Sequence, residues 1–96
     1  MDAYQELGHL ISQQCASGFY EARLNAELDE GWADLRVVCV TEGAEREADL
    51  RGVAMFNIHQ RLDEIRESMA RQSGHRWKTC TFRVYADGRF KIDVEY

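Results

Sequence analysis

Two alternating runs, Lys78 to Tyr85 and Arg89 to Tyr96, flank Ala86-Asp87-Gly88 near the C-terminal end of the chain. Successive strand residues point to opposite faces, so the runs predict an antiparallel hairpin whose loop length decides which side chains share a face. A two-residue loop at Asp87-Gly88 sets Tyr85 against Phe90 and Val84 against Lys91, which scatters the large apolar residues over both faces. A three-residue loop, with Gly88 left-handed in a bulge, pairs Val84 with Phe90, Phe82 with Ile92 and Cys80 with Val94. All the large apolar residues then lie together. The outer face carries Arg83 opposite Lys91, Thr81 opposite Asp93 and Thr79 opposite Glu95, and its one like-charge pair needs acids nearby. The three-residue register is the one expected.

A chain that ends in such a hairpin has to cover its apolar face, and the upstream sequence supplies the means. Tyr4, Leu7, Leu10, Ile11 and Cys15 recur at helical spacing behind Asp2, predicting an amphipathic helix over 3–16 that Gly18 ends. From Phe19 to Leu28 the pattern alternates, with Tyr20, Ala22, Leu24, Ala26 and Leu28 on the apolar side, as in a half-buried strand. Asp29-Glu30-Gly31 reads as a turn, and Trp32 to Val40 as the returning strand. Residues 41–49 fit either a long loop or a third strand. Met55, Ile58, Leu62, Ile65 and Met69 step by three and four along a second helix, and the stripe is read as core because it is too short for a coiled-coil seam. The expectation is an α+β fold in the order α-β-β-(β)-α-β-β. An antiparallel sheet of four to five strands carries both helices on one face and leaves the other polar.

Ninety-six residues suffice for one domain, and 45% apolar with 30% charged residues suits a soluble globular chain. No apolar stretch approaches the roughly 20 residues of a membrane helix, and no basic segment precedes an apolar one at the start. A cytoplasmic location is expected. Cys15, Cys39 and Cys80 are widely spaced in apolar patterns and read as reduced core thiols. His9, His59 and His75 stand alone, so neither a metal site nor a cofactor is expected. The four serines occupy no nucleophile-elbow context and no glycine-rich phosphate loop is present, so the chain is not read as an enzyme. A deep pocket with convergent polar groups would reopen that reading.

The net charge of −5 argues against nucleic acid and anionic membranes as partners. Its distribution says more. Residues 1–50 hold eleven acids and three bases, whereas 51–96 hold six acids and nine bases. Glu27, Asp29, Glu30, Asp34, Glu42, Glu45, Glu47 and Asp49 crowd one window against only Arg36 and Arg46. Acids so dense repel one another, and a cationic partner relieves the repulsion. An acidic binding surface is expected, built from Asp29, Glu30, Asp34, Glu42, Glu45, Glu47 and Asp49, with Trp32 as an aromatic anchor. The plainer reading is that these carboxylates keep the chain soluble and guard sheet edges.

The C-terminal run also resembles the ending of YezG-like proteins: Trp, a few residues, Phe, then Asp-Gly-x-Phe and a closing Tyr. Trp77, Phe82, Asp87, Gly88, Phe90, Asp93 and Tyr96 match it over about twenty residues, and the upstream order of helix, acidic hairpin and helix is similar. The resemblance implies an immunity protein or antitoxin, a small cytoplasmic protein that neutralises a cognate toxin domain, commonly a basic nuclease. An acidic inhibitor can occupy the cleft in which such a toxin binds nucleic acid, and needs no catalytic residue. The runner-up is an acidic secretion chaperone, which would form a stable homodimer and hold extended segments of an effector. Self-association into a homodimer stays open.

Overall fold

In the computed structural model, which describes residues 2–96, the first helix, α1 (Ala3–Ser12), begins at a reciprocal cap. The Asp2 carboxylate accepts from the Gln5 N–H at 2.8 Å, and the Gln5 side chain accepts from the Asp2 N–H at 3.3 Å. Leu7 and Ile11 of α1 are buried, as their spacing requires. The helix stops four residues before the expected end, because the chain turns through Gln13–Cys15 to reach the sheet.

Five strands follow the expected order: β1 (Glu21–Asp29), β2 (Trp32–Thr41), β3 (Ala44–Glu47), then helix α2 (Gly52–Ser73), β4 (Thr79–Tyr85) and β5 (Phe90–Glu95). All pairings are antiparallel and the spatial order is β3-β2-β1-β4-β5. Residues 44–47, which the sequence leaves open between loop and strand, form the edge strand β3. The C-terminal hairpin adopts the three-residue register, with Val84 opposite Phe90, Phe82 opposite Ile92 and Cys80 opposite Val94. Gly88 carries a φ of +91°, which a side chain rarely tolerates, and its N–H donates to the Tyr85 carbonyl at 2.9 Å. The bulge that sets the register therefore depends on a glycine at this position.

Both helices cover one sheet face. Leu7, Ile11, Ile58, Leu62 and Ile65 pack onto Ala22, Leu24, Leu28, Val37, Phe82 and Val84, and Trp77 closes the cluster just ahead of β4. Two apolar positions depart from expectation. Tyr20 precedes the first strand pairing and is 55% exposed, so the alternation starts two residues later than the sequence pattern. Met55 is 38% exposed, because the first turn of α2 overhangs the core and leaves Val53 and Phe56 in solvent.

The cysteines also differ from expectation. Cys15 and Cys39 are joined in a disulfide with Cα atoms 5.6 Å apart, so they are not reduced core thiols. Cys39 alternates with Val37 onto the helix side of β2, close to where the chain leaves α1, and this places it beside Cys15. Only Cys80 is a free thiol, buried among the core side chains. Burial, with a smaller push from the Asp93 charge, raises its pKa to about 12. Without reductant, the native chain is expected to show no reactive thiol at pH 8 and the denatured chain one; reduction in denaturant should expose three. Fast labelling of the native chain would contradict this placement of Cys80.

Candidate functional site: the uncovered sheet face

The strand alternation that buries one set of residues sends the other set to a face that no helix covers. Glu21, Arg23, Asn25 and Glu27 of β1 share it with Asp34, Arg36, Val38 and Val40 of β2 and with Glu45 and Glu47 of β3. The β4 and β5 strands add Thr79, Thr81, Arg83, Lys91, Asp93 and Glu95. The face thus holds seven carboxylates, Glu21, Glu27, Asp34, Glu45, Glu47, Asp93 and Glu95, against four bases, Arg23, Arg36, Arg83 and Lys91.

The bases hold the carboxylates in place. Arg23 reaches Glu21 at 2.8 Å and Glu45 at 3.1 Å. Burial works against the Arg23 charge, but hydrogen bonds and attraction from Glu21 and Glu45 prevail and keep its pKa above the ordinary value. Arg83 contacts Glu21 at 3.5 Å and Asp93 at 3.1 Å, which are the acids its like-charge neighbour Lys91 demanded. Arg36 lies 3.4 Å from Asp34 and 3.9 Å from Glu47. Exposed pairs of this kind are worth only about 0–1 kcal/mol each, so they bias where the carboxylates sit and add little to the stability of the fold.

The eight residues singled out in the sequence do not form one compact patch. Asp34, Glu45 and Glu47 stand together on the open face. Asp29, Glu30 and the half-exposed Trp32 lie at the β1–β2 turn, where Asp29 and Trp32 border a recess with His59, Asp63 and Arg66 of α2. Glu42 sits in the β2–β3 turn at the other end of β2, about 30 Å away along a strand of ten residues. Asp49 lies beyond β3 and pairs with Arg51. Sequence proximity also missed the acids contributed by other strands, Glu21, Asp93 and Glu95, and the bracing Arg23 and Arg83. Strand alternation marked all of these as outward-facing, but only the β1–β4 pairing brings them onto one surface.

An open groove of about 680 Å³ lies between α1 and the β4–β5 hairpin, lined by Tyr4, Gln5, His9, Ser12, Tyr85 and Phe90 among others. Two of its polar groups are engaged locally: the Ser12 hydroxyl donates to the Gly8 carbonyl at 2.8 Å, and a His9 ring nitrogen is 3.1 Å from the Gln13 amide. No cluster of three or more metal-ligating side chains occurs among the described residues, and no helix there is long and apolar enough to cross a membrane. Comparison with known protein families and with curated proteins finds no match to this chain.

Proposed function

We propose that this chain is an immunity protein that binds and neutralises a cognate toxin domain, a basic nuclease, through its uncovered sheet face. The observation that carries the reading is the excess of carboxylates on a broad surface that no helix covers, held in position by Arg23, Arg36 and Arg83. An anionic surface steers a cationic protein toward it and competes with substrate phosphates for the same basic cleft. The half-exposed Trp32 at the rim supplies an aromatic contact. The C-terminal resemblance supports the same reading. Most of its residues, however, are structural: Trp77 and Phe82 are buried, Phe90 stacks on Phe82 and Gly88 shapes the turn, while Asp93 lies on the open face.

The test pairs this chain with the toxin domain encoded beside it. Converting Asp34, Glu45 and Glu47 together to lysine is expected to weaken binding by about tenfold or more at low salt, with the melting temperature little changed. The double change Glu42→Lys and Asp49→Lys, remote from the open face, is expected to leave affinity within about threefold. Equal losses from both sets would mean that diffuse charge, and not this face, drives binding.

One observation favours the chaperone as a second reading. Val53 and Phe56 on the first turns of α2 are 75% and 65% exposed, an apolar surface of the kind that grips extended segments. The two readings separate on the partner's state: an immunity protein leaves its partner's amides protected from hydrogen exchange, and a chaperone leaves them open. We place the immunity protein in the cytoplasm, where reductants hold Cys15 and Cys39 as thiols, so it has to act without the disulfide.

A further inference from the structure

The two edges of the sheet differ in how they meet solvent. The β3 edge is four residues long and carries Glu45, Arg46 and Glu47, which discourage pairing with another strand. The β5 edge is longer and alternates apolar with charged residues. Its backbone orientation follows from bonds at both ends of the hairpin: Tyr85 N–H donates to the Arg89 carbonyl and Lys78 N–H to the Glu95 carbonyl, each at 2.8 Å. Hydrogen-bonding direction alternates along an antiparallel pair, so residues 89, 91, 93 and 95 turn toward β4, and the N–H and C=O groups of Phe90, Ile92 and Val94 point away from the sheet. Phe90 is 44% exposed beside this row.

The side chains along the edge read Arg89, Phe90, Lys91, Ile92, Asp93, Val94, Glu95: positive residues first, negative residues last, apolar residues between. That order is self-complementary when the strand meets a copy of itself running the other way. Centred on Ile92, antiparallel pairing sets Lys91 against the partner's Asp93, Arg89 against the partner's Glu95 and Phe90 against the partner's Val94, with each pair repeated across the twofold axis. The residues brought opposite on the apolar side are the ones whose backbone groups point outward, so hydrogen bonding and charge select the same register. Centring on Lys91 or on Asp93 also satisfies the backbone, but it opposes two lysines or two aspartates. Asp93 is equipped for the contact, since Arg83 and Lys91 both approach its Oδ2 and leave Oδ1 unengaged.

The geometry points to a homodimer in which two β5 strands pair antiparallel about Ile92 and join the two sheets into one continuous sheet. This interface lies at the opposite edge from Asp34, Glu45 and Glu47 and rests on the strand edge alone, although Lys91, Asp93 and Glu95 also belong to the uncovered face. Each dimer therefore presents two acidic faces. Because the edge serves either functional reading, self-association does not separate inhibitor from chaperone; the folded state of the captured partner does.

Sedimentation equilibrium up to millimolar chain concentration, with amide hydrogen exchange at matched concentrations, tests the pairing. The expected result is a monomer–dimer equilibrium in which the Phe90, Ile92 and Val94 amides gain protection as concentration rises, while Lys91 and Asp93 are protected throughout. Lys91→Glu opposes like charges on both sides of the axis; inside the chain it gives Arg83 an opposite charge where it faced a like one and replaces the exposed Lys91–Asp93 pair by two acids, changes small enough that the monomer keeps its fold. This change is expected to raise the dissociation constant about tenfold or more, and adding Asp93→Lys should restore association by exchanging the paired charges. A chain that stays monomeric, a dimer indifferent to Lys91→Glu, or a dimer whose Phe90, Ile92 and Val94 amides exchange freely would each overturn the proposal. If an effector segment protects those amides while the free chain stays monomeric, the edge takes a foreign strand instead, and the homodimer is likewise overturned.

Discussion

Replacing Trp77 by alanine is expected to destabilise the fold by about 3 to 5 kcal/mol, the cost of a large truncation in a packed core. Trp77 heads the largest fully buried side chains and has no exposed surface. Arg66 of α2 clamps the residue: its guanidinium lies 5.6 Å from the ring centroid, and its Nε donates to the Trp77 carbonyl at 2.8 Å. The indole N–H has no hydrogen-bond partner, so the ring contributes by filling space and through its face against Arg66, not through its N–H. Trp77→Phe, which keeps most of the apolar volume and removes the unpaired donor, should therefore cost much less than Trp77→Ala. In a domain of this size the alanine variant should melt more than about 10 °C lower. Urea unfolding of the two variants measures the difference, and a loss below about 1 kcal/mol for Trp77→Ala would mean that the ring does not fill the core.

The second large effect is expected on reducing the disulfide. The Cys15–Cys39 bond spans a sequence separation of 24, and closing a loop of that length restricts the unfolded chain enough to stabilise the fold by about 3 kcal/mol. The bond ties the end of α1 to β2, a strand otherwise reached from that helix only through the shared core. Urea unfolding with and without reductant, or of the Cys15→Ser and Cys39→Ser double variant, should show a loss of unfolding free energy of that size while the native circular dichroism persists. A loss near zero would mean that the pair adds nothing to stability, and a reduced chain that does not fold would be incompatible with the proposed cytoplasmic role.

Much of the architecture was legible because it depends on local periodicity. The β4–β5 register followed from asking which loop length keeps Phe82, Val84, Phe90 and Ile92 together, and the structure pairs them that way. The α2 stripe was legible through Ile58, Leu62 and Ile65, which are buried. It failed at Met55, because periodicity gives the direction of a face but not where the neighbouring layer stops. The pairing of Cys15 with Cys39 was hidden for a related reason: residues far apart in the sequence meet only after α1 has docked and β2 has taken its place.

The candidate site divides along the same line. Alternation within β1, β2 and the C-terminal hairpin was enough to say that one sheet face is polar, and the charge count was enough to say that the 27–49 segment is acidic. Strand order was not legible, and strand order decides which acids are neighbours. Pairing β1 with β4 brings Arg23 and Arg83 around Glu21, and pairing β3 with β2 brings Glu45 to Arg23, while the length of β2 separates Glu30 from Glu42. Local patterning could thus determine which way each side chain points, since that is set by the two-residue repeat of a strand. Only the tertiary structure could determine which charges share a surface, because Coulomb attraction and desolvation depend on distance through space and not along the chain.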